Sequence, residues 1–292
     1  MVGVITQNSH SPVAPPTASP APAAAPLRAT VGARLSFDVT APALLALQVV
    51  AANDAGSGLV ATLDGAPLPV EEVRGPEPYA RQHLVRAGTG LLAIDYRATV
   101  TPGSGAAARV EEAERVLMQR PSRYCPSDRL IAYGSTRFPG QDADPLARVQ
   151  AITDYVSDHL AYLTGSTGPS DDAVDVLLSG QGVCRDYAHL VVTLARAQGM
   201  AARLVAVYAP GLSPMDFHAV AEIDVDGVWH VVDATRLAPR ESLVRISTGR
   251  DAADTAFATT MTGVAELQDV TVTAVADTGL PTDDGDAPTL LS

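Results

Sequence analysis

The feature that most constrains this chain is the dipeptide Asp226-Gly227, flanked by two β-type runs, residues 217–225 and 228–233. An Asp-Gly pair between such runs specifies a two-residue hairpin turn, because both central residues must take positive φ and these two tolerate it. That loop pairs Val225 with Val228 and so sets Val220 opposite Asp233. Strand side chains alternate between faces, which puts His218 on the face of Asp233 and diagonal to it, about 7–8 Å away at the backbone. The hairpin thus presents an imidazole with a carboxylate able to fix its tautomer.

A thiol is expected nearby. Gly180-Gln181-Gly182-Val183 places flexible backbone before Cys184, and Ala188, Val191, Leu194 and Ala195 then recur at helical spacing, with Gly199 as the stop. Cys184 stands at a helix N-terminus, where unpaired amides and the macrodipole favour a thiolate, the nucleophilic form. Cys184, His218 and Asp233 are then nucleophile, general base and orienting group for thioester chemistry. Each has a plainer reading: Cys184 as a buried structural thiol, His218 paired with Glu222 on its own face, Asp233 capping the Ala234-Thr235 turn. A zinc site of Cys184, His189, His218 and Asp233 is also open, although it has no paired-ligand spacing. Cys125, before Pro126, reads as a structural or exposed thiol; Trp229 reads as core, and His83 as a surface or satisfied histidine.

Charge narrows the partners. The 292 residues carry 20 basic and 33 acidic groups, a net charge of −13, the wrong sign for neutralising phosphates or settling on anionic lipid. Nucleic acid and membrane partners are not expected. All the basic residues are Arg, which excludes a P-loop lysine, Schiff-base chemistry on Lys and a Ser–Lys dyad. Two cysteines are too few for a disulfide framework or a four-thiolate zinc site. No run approaches the ~18 apolar residues of a spanning helix, and residues 1–8 lack a signal peptide's basic start, so a cytoplasmic location is expected.

Along the chain, residues 1–26, rich in Ala, Pro and Ser, read as a disordered leader. Residues 27–101 read as an antiparallel β-domain, with strands at 34–39, 44–51, 60–63 and 91–100. After a linker at 101–106, a second unit spans 107–276. Its expected helices are 107–119, a long one capped by Asp144-Pro145 with apolar spacing as far as Leu163, and 171–178 capped by Ser170. Residues 277–292, with Asp277, Asp283, Asp284 and Asp286, read as a disordered acidic tail.

These residues carry a resemblance. Gly182-Val183-Cys184-Arg185-Asp186-Tyr187-Ala188-His189-Leu190, then Asp216-Phe217-His218-Ala219, then Val231-Val232-Asp233-Ala234-Thr235-Arg236 resemble the bacterial transglutaminase-like superfamily, described as cysteine proteases. Residues 120–128 and 249–254 extend the likeness, which runs from about Leu27 to Ala276. It implies an α+β fold: an N-terminal β-domain, then a papain-like core in which a Cys-bearing helix packs on an antiparallel sheet carrying His and Asp. It assigns Cys184, His218 and Asp233 the roles given above. Val220 stands where such proteins often have Trp, and Ala234 where Pro is usual, changes that bear on the acyl pocket. The oxyanion donors expected are the Cys184 amide and, as a side-chain candidate, Gln181. Asp186 and His189 are candidate supporting groups, and Arg250, Asp251 and Asp254 form a salt-bridged cluster. The implied activity is acyl transfer on the amide bond of a peptide or protein substrate, by hydrolysis or transamidation, with no metal or organic cofactor. The alternative is a non-catalytic peptide-binding module of the same fold.

Overall fold

Apolar residues alternate from Ala29 to Leu47 and build one long strand where two were expected. Pro42 lacks an amide donor, and the strand absorbs it through register shifts between Val39 and Leu44 rather than ending there. The computed structural model describes residues 27–56, 58–75, 81–103, 109–139, 144–285 and 287–291; the expected leader, 1–26, lies outside them.

In chain order, strands β1 (Ala29–Leu47), β2 (Leu59–Leu63), β3 (Ala66–Leu68), β4 (Val70–Arg74), β5 (Arg81–Ala87) and β6 (Gly90–Val100) come first. Helices α1 (Glu112–Met118), α2 (Ile131–Arg137) and α3 (Pro145–His159) follow, then β7 (Ala161–Tyr162), α4 (Ala173–Ser179), β8 (Gln181–Gly182) and α5 (Cys184–Ala197). The chain continues through β9 (Ala202–Tyr208), β10 (Phe217–Val225), β11 (Val228–Val232), β12 (Val244–Gly249), α6 (Ala252–Thr255) and β13 (Ala258–Ala276). The architecture is α+β, as the resemblance implied.

The large sheet runs β3-β2-β6-β1-β5-β4, with β13 on the other edge of β1. The smaller antiparallel sheet runs β11-β10-β9-β12. Helix α5 is buried almost all round, as a helix must be when it is the centre of a core. Its Leu190, Val191 and Leu194 pack with Ile152 and Val156 of α3 and with Ala221 and Ile223 of β10. The two sheets are joined: Tyr208 and Ile246 pack into the core of the large sheet, and the Tyr208 hydroxyl donates to the Val49 carbonyl at 2.6 Å.

Several expectations need correction. The unit expected to end at Ala276 gives its last strand back to the N-terminal sheet, because β13 pairs with β1 from Ala29↔Ala276 to Leu47↔Ala258. The tail is not a free acidic segment. Asp283 accepts from the buried Arg240 guanidinium at 2.7 and 2.9 Å, Val231 donates to the Thr289 carbonyl at 2.9 Å, and Leu291 is buried. A buried guanidinium needs a counterion, and here the tail supplies it. Helix α3 ends at His159 rather than Leu163, and Asp172, not Ser170, caps α4. Among the described residues no helix is long and apolar enough to cross a membrane.

Candidate active site

The start of α5 is a built structure. Asp186, in the helix's first turn and fully buried, accepts from the Val183 amide at 2.9 Å, the Thr167 hydroxyl at 2.6 Å and Arg185 Nε at 3.3 Å. Its carboxylate thereby fixes the loop leading into Cys184 and meets the helix's positive end. Gly182 makes this possible, since a Cβ there would lie 2.7 Å from the Asp186 Cβ. The expected supporting role of Asp186 is that of a clamp on the helix start.

The hairpin has the expected register, Val225↔Val228 through Ala221↔Val232, with positive φ at Asp226 and Gly227. His218 Nε2 lies 2.8 Å from Asp233 Oδ2, and both residues are buried. The other Asp233 oxygen accepts from the Thr235 amide at 2.9 Å and its hydroxyl at 2.7 Å, so Asp233 caps its turn and orients His218 at once. Glu222 does not compete for His218. It is bound between Arg203, at 2.7 Å, and Arg245, at 2.6 and 3.0 Å, the buried pairing a buried carboxylate requires.

Electrostatics follow from this geometry. Burial pulls the His218 imidazole down, but the Asp233 charge and hydrogen bond, with Cys184 adding to them, outweigh it and raise the ring to about 10. Burial works the other way on Asp233, and the His218 charge and hydrogen bond, with the Thr235 donors, overcome it to hold the carboxyl below its usual range. With Nε2 on Asp233, the remaining ring nitrogen, Nδ1, is buried without a nitrogen or oxygen partner among the described residues. The Cys184 thiol lies 4.0 Å from the Phe217 carbonyl at the start of β10, directly before His218. Cys184 and His218 line one cavity of about 410 Å³, and Asp233 stands behind the ring, outside it.

Tyr162 is a site residue that the sequence reading missed. Its partly exposed phenol is pushed up to about 12, chiefly by burial and next by the neighbouring Cys184. The two-residue parallel ladder of β7 on β8, Tyr162↔Gly182, puts it there. No sequence signal marks so short a parallel pairing, and the apolar period of α3 ran over it. Gln181, the expected oxyanion side chain, is exposed on β8 and does not line the cavity.

His189 is not part of the reacting group. Its ring stacks on Tyr124 with centroids 5.2 Å apart, and its Nε2 accepts from the Ala252 amide at 3.1 Å. Burial lowers it to about 4. It braces α6 and the cavity wall that follows, and it does not converge with Cys184, His218 and Asp233 as a zinc site would require. Cys125 is fully buried rather than exposed; its thiol donates to the His189 carbonyl at 3.6 Å and burial pushes it up to about 12. Trp229 is core, under the Arg203 guanidinium at 4.2 Å. Arg250 and Asp254 form the expected salt bridge, at 2.8 Å. His83 is buried, 3.6 Å from Glu72.

Comparison with known proteins shows the family and the fold. A sequence model of the Transglutaminase-like superfamily matches residues 135–234, a stretch holding Cys184, His218 and Asp233. The crystal structure of a candidate cysteine protease from Cytophaga hutchinsonii superposes with a TM-score of 0.81 at 30% identity, covering 92% of this chain and 98% of that one. A protein of Mycobacterium leprae is 26% identical over 161 residues, 51% of this chain and 55% of its own length. A protein of Mycobacterium tuberculosis is 37% identical over 68 residues, 23% of this chain and 22% of its own. The chain thus spans about half or less of the length of these mycobacterial relatives.

Proposed function

Because the chain belongs to the transglutaminase-like superfamily, we propose that it is a cysteine-dependent enzyme that cleaves amide or peptide bonds by acyl transfer, with Cys184 as nucleophile, His218 as general acid and base, and Asp233 as orienting group. The observation that carries this reading is a single imidazole held by Asp233 at 2.8 Å and lining one cavity with Cys184. A ring raised to about 10 is protonated at neutral pH, and an imidazolium so placed is the counterion that a thiolate nucleophile requires.

The Cys184 sulfur adds to the substrate carbonyl carbon, and the oxyanion develops beside the Cys184 amide at the start of α5. His218 gives its Nδ1 proton to the leaving nitrogen as the C–N bond breaks, leaving a thioester on Cys184. The neutral imidazole then takes a proton from water, whose oxygen adds to the thioester carbonyl, and the sulfur departs. Each step uses the chain's own groups. Hydrolysis is favoured over transamidation because it requires only these residues, whereas transamidation also requires a seat for an incoming amine. With no Lys, the chain offers no lysyl amine to cross-link itself. We place the activity in the cytoplasm, where thiols stay reduced; both cysteines are free.

The test is site-resolved iodoacetamide alkylation across pH, in wild type and in His218→Ala. Rapid labelling of Cys184 that persists well below pH 7 and weakens without His218 is expected, while buried Cys125 stays unlabelled. A Cys184 that titrates as an ordinary thiol, or does not react in the folded protein, would instead identify a peptide-binding module.

A further inference from the structure

The cavity at Cys184 is not walled by the catalytic unit alone. Gln48, directly after β1, and Phe257, directly before β13, also line it, and both adjoin strands of the large sheet. Phe257 stacks on Phe217 with centroids 5.0 Å apart and planes 15° apart, and Leu204, Ala206 and Ile246 complete an apolar lining. Gln48 is held twice: its amide donates to the Phe257 carbonyl at 2.9 Å, and its side-chain Nε2 donates to the Asp254 carbonyl at 3.0 Å. A carbonyl only accepts, so this contact settles which way the Gln48 side-chain amide points. Its Oε1 is left buried with no donor among the described residues. An acceptor buried without a partner is costly, and a ligand N–H that reached it would recover that cost.

We propose that the large sheet supplies the enzyme's substrate selectivity. The preferred substrate is a peptide in which the residue bearing the scissile carbonyl has an aromatic or large aliphatic side chain, seated against Phe217 and Phe257, while that residue's own N–H donates to Gln48 Oε1. An anionic side chain is disfavoured by the apolar walls and by the Asp216 carboxylate at the cavity; Arg185, also there, is already engaged with Asp186 and Thr167. This selectivity rests on the reading of Cys184 as the acyl-accepting nucleophile. It also gives the N-terminal sheet a role that a support for the core does not need, because Gln48 and Phe257, which adjoin it, line the cavity that holds the reacting thiol.

The experiment measures second-order labelling rates at Cys184, by mass spectrometry, with four reagents: iodoacetamide, acetyl-phenylalanyl chloromethyl ketone, its aspartyl counterpart, and the phenylalanyl reagent with an ester oxygen in place of the amide N–H. In wild type the phenylalanyl reagent should react about tenfold or more faster than the aspartyl one, and the ester about tenfold slower than its amide parent. In Phe257→Ala the phenylalanyl-to-aspartyl ratio should fall towards one. In Gln48→Met the amide and ester reagents should react alike. Rapid iodoacetamide labelling with equal phenylalanyl and aspartyl rates in wild type overturns the selectivity proposal alone, as does an ester penalty that persists in Gln48→Met. Slow iodoacetamide labelling overturns the nucleophile reading and the selectivity with it.

Discussion

Two cysteine–histidine pairs lie along one helix, and they behave in opposite ways. Cys184 opens α5 beside His218; Cys125 packs against the same helix at the carbonyl of His189. Depth does not separate the two imidazoles, since His189 and His218 are both nearly fully buried. The carboxylates separate them. Asp233 gives one oxygen to His218, and that ring is raised to about 10. Asp251, the acidic neighbour of His189, has its oxygens on the amides of Tyr124 at 2.8 Å and Ala253 at 2.9 Å, and His189, left to burial, falls to about 4. Burial also pushes the Cys125 thiol beside it up to about 12, against the lowering pull of Arg196. An imidazole buried this deeply keeps its charge only where a carboxylate is free to hold it.

The largest effect should come from removing one thiol at a time. Cys184→Ala should lower amide cleavage by about 10⁴-fold or more, while Cys125→Ala stays within a few-fold, measured on the same peptide. Equal losses would erase the distinction between the pairs. Next, Asp233→Asn should cost about 10³–10⁴-fold in kcat by supporting the wrong tautomer. Asp251→Asn should act on stability instead, by about 1 kcal/mol through the weakened cap of α6, read from urea unfolding.

The two imidazoles should also show opposite pH windows in stability. His218 titrates higher folded than unfolded, so its contribution is complete below about 6.5 and is lost as pH rises towards about 10. Asp233, held low, contributes above 3.8 and loses that only further into acid. His189 titrates lower when folded, so its contribution is complete above about 6.5 and is lost as pH falls towards about 4. Urea midpoints of wild type, His218→Ala and His189→Ala from pH 4 to 10 should converge at the alkaline end for the first variant and at the acid end for the second. Convergence at the same end would show that burial, not the carboxylate, governs both rings. The smallest effect belongs to Arg250→Ala, whose exposed (i, i+4) pair with Asp254 should be worth about 0.5 kcal/mol or less.

Much of the site was legible because short-range rules specify it. Asp226-Gly227 sets a register through turn chemistry, and from that register His218 and Asp233 share a face. Gly182 before Cys184 and Gly199 after the helix bracket α5 for equally local reasons. What was not legible lies in long-range pairing. Gln181 is three positions before Cys184, yet its side chain lies at the surface on β8, while Tyr162, 22 positions before Cys184, is brought beside Gly182 by a ladder of two residue pairs. The acidic tail reads as solvated because its partner, Arg240, is 43 positions from Asp283.

The amino-acid sequence by itself determined the helix start beneath Cys184 and the pairing of His218 with Asp233, because propensity, capping and strand period act over a few residues, while the α+β class came from the resemblance its motifs carry. Tertiary structure alone decided that β13 returns to β1, that Tyr162 stands at the thiol, and that Gln48 walls the cavity through a contact 206 positions away. Such contacts gain free energy only after the loops between them have closed and the cores have formed, and no local pattern of residues records that outcome.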